Sequence, residues 1–159
     1  MKKLFLSLLL WAVIFTHDFL RPLKADAGHD FGLGIQVGNM GGITGIVNPD
    51  ERAMIQGVIG TFWYDGLLLG ADYCVKFPGA FSGNNVLTPY IGGGGYAFSG
   101  SSWRRTDRYS GFGVQMPFGI LVDLPKVPVH IYAQIAPAIN LVPFADSYLQ
   151  FAVGARFLF

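Results

Sequence analysis

The chain has 159 residues, of which 52% are hydrophobic and 13% charged, and its formal net charge is +1. This length suits one domain, and the near balance of charge argues against nucleic-acid binding. Typical soluble domains contain about 25% charged residues, yet no stretch here reaches the roughly 20 consecutive apolar residues of a membrane-spanning helix. The hydrophobic residues are therefore spread along the chain.

The N-terminus has the features of an export signal. Lys2 and Lys3 precede an uncharged, mostly apolar run from Leu4 to Thr16, and Ala25-Asp26-Ala27 offers small residues at a cleavage site. We expect residues 1–27 to be a cleavable signal peptide and residues 28–159 to form the mature domain. The alternative is an uncleaved N-terminal membrane anchor, for which the run is short. Cys74 is a single cysteine, so an internal disulfide is excluded.

Period-two alternation and regularly spaced turn residues predict an all-β domain after residue 28. The alternation is clearest at the C-terminus, where Leu149, Phe151, Val153, Phe157 and Phe159 share one face. The predicted strands number eight and cover approximately residues 31–38, 42–48, 53–63, 67–77, 88–99, 109–124, 129–142 and 147–159.

The two faces of these strands differ in kind. One face is bulky and apolar, whereas the other is small or polar with few charges, as in Gly113, Gln115 and Gly119 of the sixth strand. A water-exposed surface normally carries many charges. The pattern therefore favours a closed barrel whose bulky face meets lipid, since a sheet in hydrocarbon must pair all its backbone groups. A soluble lipocalin-like carrier with an apolar interior is the alternative.

The C-terminal segment "YLQFAVGARFLF", together with the export signal and eight short strands, resembles the small eight-stranded outer-membrane β-barrels of the OmpA, OmpX and PagP size class. The resemblance implies an antiparallel up-and-down transmembrane barrel in the outer membrane of a Gram-negative bacterium. It also implies that the barrel assembly machinery recognises the last strand, with Tyr148, Phe151, Phe157 and Phe159 as the signal. A barrel of eight strands is filled by side chains, so we expect a monomer that is not a general porin.

The sparse polar residues of the inward face form a predicted lumenal cluster. Its members are Asp72, Lys76, Asp123, His130, Gln134 and Arg156. Because a buried charge needs a partner, we expect Arg156 to pair with Asp123 and the cluster to be structural. The proximity of His130 to Asp123 leaves open a lipid-modifying enzyme, of the lipid A acyl hydrolase or transferase type. No serine accompanies them, so we expect no catalytic residues, and the scattered histidines predict neither metal nor cofactor.

Two further features concern lipid contacts. The longest polar loop contains Trp103, Arg104, Arg105 and Arg108, a combination suited to phosphorylated headgroups such as those of lipopolysaccharide, although a solvated loop fits equally well. The tract Gly92–Gly95 lies inside a predicted strand and is not a phosphate-binding loop. If Tyr90, Tyr96 and Phe98 face lipid, these glycines leave a shallow outer groove.

Overall fold

The computed structural model describes residues 31–159 apart from 63–65, 82–85, 102–107, 125 and 143–144, and the described residues form one antiparallel β-sheet. Its strands are β1 (Phe31–Gly38), β2 (Met40–Val47), β3 (Ala53–Phe62), β4 (Leu67–Lys76), β5 (Leu87–Ser101), β6 (Arg108–Gln115), β7 (Phe118–Asp123), β8 (Val129–Val142) and β9 (Asp146–Leu158). The outer limits of the predicted strands agree with these bounds to within two residues. The export signal that we predicted lies outside the described residues.

The sheet closes on itself. Consecutive strands pair from β1 to β5, β6 and β7 follow each other at one position between β5 and β8, and β8 pairs with β9, which returns to pair with β1. We call the rim where β1 begins and β9 ends the lower rim, and the opposite rim the upper rim. Closure leaves no exposed sheet edge, because every strand has a hydrogen-bonded neighbour on both sides.

The sixth predicted strand, residues 109–124, is divided in the structure. Met116 and Pro117 separate β6 from β7, but the register is continuous, with Gln115 opposite Ala138 and Phe118 opposite Ile135. Nine strand segments thus make a ring of eight positions. We call the junction of Met116–Pro117 with Pro137 of β8 the proline seam.

The alternation of bulky apolar with small or polar residues in the sequence matches the alternation of exposed and buried residues in the folded sheet. In β9, Leu149, Phe151 and Val153 are 57%, 50% and 51% exposed, whereas the intervening Gln150 and Ala152 are buried. The same alternation orders β4 and β8. The predicted placement of the bulky apolar residues outside the closed sheet is correct for these strands.

The junction of β1 with β9, which we call the closing seam, ends at the upper rim in a tight turn. Gly38 has a φ of 149°, and a Cβ atom there would lie 2.1 Å from the carbonyl oxygen of Phe151. The neighbouring Asn39 side chain donates to the Leu149 carbonyl at 2.9 Å and accepts from the Phe151 N–H at 2.8 Å. The Asn39 amide thereby extends the ladder beyond the last residue of β1.

Candidate functional site: a polar layer inside the closed sheet

The interior of the sheet is layered. Towards the lower rim lies an apolar cluster of Ile46, Met54, Cys74, Tyr90, Leu121, Tyr132 and Leu158. Towards the upper rim lies a second one of Met40, Val58, Leu68, Tyr96 and Ala138, with Phe98 and Tyr148 packed against it. Between them lies a layer of buried polar side chains, including Gln36, Thr44, Gln56, Asp72, Gln115, Gln134 and Arg156.

Gln56 connects the polar layer across the interior. Its Nε2 donates to Asp72 Oδ2 at 3.1 Å and to Gln134 Oε1 at 3.0 Å, and its Oε1 accepts from Arg156 Nη2 at 3.1 Å. Gln115 Nε2 donates to the other oxygen of Asp72 at 2.7 Å. One amide side chain thus relays between the buried cation and the buried carboxylate, which compensates both for lost hydration.

Arg156 is 1% exposed and is held by neutral groups. Its Nε and Nη2 donate to Thr44 Oγ1 at 3.1 and 2.8 Å, and its Cζ lies 3.8 Å from the centre of the Tyr132 ring. The face of an aromatic ring attracts a cation most strongly where water is excluded. Arg156 Nη1 has no hydrogen-bond partner among the described residues.

The predicted ion pair between Arg156 and Asp123 is wrong. Asp123 instead contacts His130 Nε2 near the lower rim, where the Asp123 side chain is 41% exposed. Asp123 and His130 are directly opposite each other in β7 and β8, and His130 is opposite Arg156 in β9. Arg156 extends towards β2 and β3 across the interior, a direction that residue spacing within one strand does not define.

The remaining members of the predicted lumenal cluster divide between two places. Asp72 and Gln134 lie in the buried polar layer with Arg156. Lys76 lies at the lower end of β4, where its Nζ donates to Asn48 Oδ1 at 3.0 Å. The structure therefore separates a central layer from a small polar group at the lower rim.

Three interior tyrosines that were not among the predicted site residues also make hydrogen bonds inside the sheet. Tyr90, Tyr96 and Tyr132 donate from their hydroxyls to Gln134, Asn140 and Gln36 at 2.7, 2.7 and 2.6 Å. The expectation that Tyr90 and Tyr96 face lipid is wrong, because both are buried inside at 3% and 4% exposure. The hypothesis of an outer groove over Gly92–Gly95 that depended on them fails with it.

Each of these tyrosines lies over a glycine of the neighbouring strand. Tyr90 is opposite Gly119, Tyr96 is opposite Gly113 and Tyr132 is opposite Gly154. A Cβ atom on any of the three glycines would come within 2.2–2.6 Å of the tyrosine side chain. The pairing of aromatic residues with glycines is a known means of fixing strand register. A tyrosine opposite a glycine in the neighbouring strand is therefore the signal that could have identified these residues from the sequence.

The other predicted site residues lie elsewhere. Trp103, Arg104 and Arg105 are outside the described residues, and Arg108 opens β6 opposite Ser101. Of the predicted assembly signal, Phe151, Phe157 and Phe159 are exposed on the outer face. Tyr148 points the other way and packs edge-on to Tyr96, with 6.2 Å between the ring centroids.

The described side chains provide no metal centre, since no group of three or more histidine, cysteine or acidic residues converges among them. In the part of the chain that the structure describes, no helix has the length and hydrophobicity to cross a bilayer. The interior chemistry of the described residues is therefore that of a hydrogen-bonded network.

The comparison with solved structures identifies a related fold. The chain is similar to the N-terminal β-barrel domain of OprF from Pseudomonas aeruginosa, with a TM-score of 0.63 and 13% sequence identity, over 81% of this chain and 95% of that one. No family model matches the sequence, and no curated protein matches it either. The similarity shows that the closed sheet has the fold of this β-barrel domain.

Proposed function

We propose that this protein is an integral outer-membrane β-barrel with a side-chain-filled lumen and a structural or lipid-interacting role. The observation that carries the proposal is the apolar outer surface of a closed sheet. Large apolar residues are exposed on the outward face of most strands, among them Ile35 at 66%, Ile43 at 61% and Ile135 at 51%. Soluble monomers rarely expose contiguous apolar surface on this scale.

The absence of outward charge supports the same conclusion. The outward positions of β4, β8 and β9, all within the described part of the chain, contain no Asp, Glu, Lys, Arg or His. The acidic and basic side chains of these strands lie inside or at a rim, namely Asp72, Lys76, His130, Asp146 and Arg156. A soluble lipocalin-like carrier would have the reverse distribution, with its apolar residues inside and charges in water.

Closure of the sheet meets the second requirement of a bilayer. Backbone N–H and C=O groups in hydrocarbon must be paired within the protein, which only helices and closed barrels achieve. The strand segments of 8–15 residues, with β7 completing β6, suit the 9–11 residues of a tilted membrane strand. The OprF-like fold agrees with this proposal.

The filled interior argues against a general porin. Arg156, Gln56 and Gln134 of the central polar layer are 1%, 3% and 7% exposed, and apolar clusters lie above and below this layer. A barrel of eight strands is just wide enough for side chains to fill it. We therefore propose a monomer without an open channel, in the OmpA, OmpX and PagP size class, whose partners are lipids and, for insertion, the barrel assembly machinery.

An enzymatic role is not part of the proposal. The His130–Asp123 contact is the arrangement that would orient a general base, but such a base needs a nucleophile or water at its other nitrogen. His130 Nδ1 is buried and has no hydrogen-bond partner among the described residues. The loop of Trp103, Arg104, Arg105 and Arg108 remains a proposed contact for lipopolysaccharide headgroups.

The proposal is tested by expressing the chain in a Gram-negative host and comparing Val153→Arg with Ser99→Arg. Both positions are exposed on the outer face, Val153 near mid-height and Ser99 near the upper rim. We expect Val153→Arg to lower the free energy of unfolding in lipid by about 2–4 kcal/mol and Ser99→Arg by about 0–1 kcal/mol. The wild type should fractionate with outer membranes and change gel mobility on heating.

A soluble carrier gives a different result in both measurements. Recovery of the wild type as a detergent-free monomer, with both arginine variants as stable as the parent, would overturn the membrane assignment. Lipid A of altered acylation in cells that express the wild type would instead support the enzymatic alternative.

A further inference from the structure

The outer surface has a groove at the proline seam, in the upper half of the wall. Its volume is about 460 Å³, and residues of three strands and of the β6–β7 break line it, among them Val114, Met116, Pro137, Ile139, Ser147 and Tyr148. Pockets of 300–1,000 Å³ are the size that commonly holds small ligands. Val114, Ile139 and Ser147 form one row across the wall, and Met116 and Pro137 form the next.

Two prolines interrupt the hydrogen-bond ladder at the groove. Met116 N–H donates to the Pro137 carbonyl at 3.0 Å, and Gly92 N–H donates to the Pro117 carbonyl at 2.8 Å. In a regular antiparallel ladder each such pair would exchange a second hydrogen bond, but proline has no N–H to return it. Residues 116 and 117 thus lose one ladder bond on each side, and the strand assignment breaks there.

The lining would suit a lipid acyl chain whose polar end lies at the upper rim, because it is apolar towards mid-height and polar at the rim. We call the apolar outer surface of the ring the belt. Within the belt, Val114, Met116 and Ile139 are 46–49% exposed. Exposed Ser147 lies one residue from Asp146 at the upper rim. An occupant with an apolar chain directed towards mid-height and a polar group at the rim would match both ends of the groove.

We propose that this groove binds one acyl chain of a membrane lipid more persistently than the rest of the outer surface does. The inference rests on the proposed function, since only a membrane-embedded sheet presents the groove to lipid chains. Where strands pair regularly, as β1 does with β2, the outward side chains form a continuous row against which lipids exchange. At the proline seam the recess lets an acyl chain contact the wall on several sides, which increases dispersion contacts.

The test is photo-crosslinking in phospholipid bilayers that contain a phospholipid with a diazirine in its acyl chain. Mass spectrometry maps the labelled residues of the wild type, of Ile139→Trp, which fills the groove, and of Ile131→Trp. Ile131 is the control because it lies on the same outward face of β8 and is 40% exposed, compared with 49% for Ile139. We expect labelling of Met116 and Pro137 several-fold above that of outward residues elsewhere, lost in Ile139→Trp and retained in Ile131→Trp.

The outcomes separate the groove from the membrane proposal. Uniform labelling around the belt would overturn the acyl-chain groove while leaving the membrane location supported. Labelling of the belt that spares Met116 and Pro137 would overturn it in favour of a protein occupant, such as a second copy of the chain. Labelling that appears nowhere on the folded protein would overturn the proposed function itself. Gel mobility before and after heating verifies that both tryptophan variants are folded.

Discussion

The closing seam and the proline seam join strands of the same sheet by different means. At the closing seam β1 and β9 are paired from Gly32–Leu158 to Gly38–Ala152, and Asn39 adds two side-chain hydrogen bonds beyond that point. At the proline seam, Pro117 and Pro137 each remove a donor in mid-wall. The difference shows that closure depends on a complete ladder where the chain's two ends meet, whereas an internal junction tolerates a local defect.

The sheet tolerates the missing hydrogen bonds of the proline seam for a structural reason. β6 and β7 are held on both sides by β5 and β8, whose register continues unchanged across Met116 and Pro117. The lost bonds are therefore flanked by intact pairs. The strands of the closing seam are far apart in sequence, so their pairing has to offset the loop-closure entropy of nearly the whole domain.

The largest expected effect comes from introducing a proline at the closing seam. Ala155 is opposite Ile35, and the hydrogen bonds from Asn39 N–H to Phe151 and from Phe159 N–H to Phe31 place it at a hydrogen-bonded position. Ala155→Pro should cost several kcal/mol, because it removes a ladder bond and leaves a backbone carbonyl unpaired in hydrocarbon; denaturant unfolding in lipid measures this. Ala155→Val keeps the N–H and should be close to neutral. Equal stability of the two variants would remove the distinction between the seams.

The next effect concerns the glycine beneath Tyr132. A Cβ at Gly154 would lie 2.6 Å from the Tyr132 ring and 2.7 Å from the Ile35 carbonyl oxygen. Gly154→Ala should therefore destabilise the closing seam by up to about 3 kcal/mol through overpacking. The control is Gly93→Ala on the outer face of β5, where an added Cβ meets nothing within 4 Å. Similar losses for both variants would mean that the tyrosine contact is not the cause.

A smaller effect is expected from Asn39. Asn39→Ala removes two hydrogen bonds to the backbone of β9, worth roughly 1 kcal/mol each. Hydrogen exchange should accelerate at the Phe151 amide and leave the amides of β3 and β4 protected. Asn39→Asp keeps the acceptor for Phe151 N–H but turns a buried acceptor towards the Leu149 carbonyl, so it should be at least as destabilising as Asn39→Ala. Unchanged exchange at Phe151 would contradict the role assigned to Asn39.

The smallest expected effect is a gain at the proline seam. Pro137→Ala supplies the N–H that can complete the pair with Met116, for a gain of about 0.5–1.5 kcal/mol in the free energy of unfolding. Pro89→Ala in β5 tests whether the gain is particular to the seam, because Phe77 N–H donates to the Pro89 carbonyl at 2.8 Å and this proline also returns no bond. A loss of stability in Pro137→Ala alone would show that the proline has a favourable role in the wall that the ladder does not reveal.

Most of the fold followed from the sequence because alternation is a local property. The faces of β4, β8 and β9 were predicted correctly, since each has bulky apolar residues at every second position. The face of β5 was not, because its outward Gly93, Gly95 and Ala97 are too small to identify the apolar side. The bulky Tyr90 and Tyr96 could therefore be considered as outward residues, although their hydroxyls donate to Gln134 and Asn140 inside.

By itself, the sequence determined that the chain forms short strands, where they begin and end, and that its few charges avoid one face. Only the tertiary structure decided that Arg156 interacts with Thr44, Gln56 and Tyr132 instead of Asp123, and that Asp123 contacts His130. The physical reason is that partners across the interior depend on the stagger between strands around the closed ring. That stagger is set by the pairing of all strands together, whereas alternation is set by each strand alone.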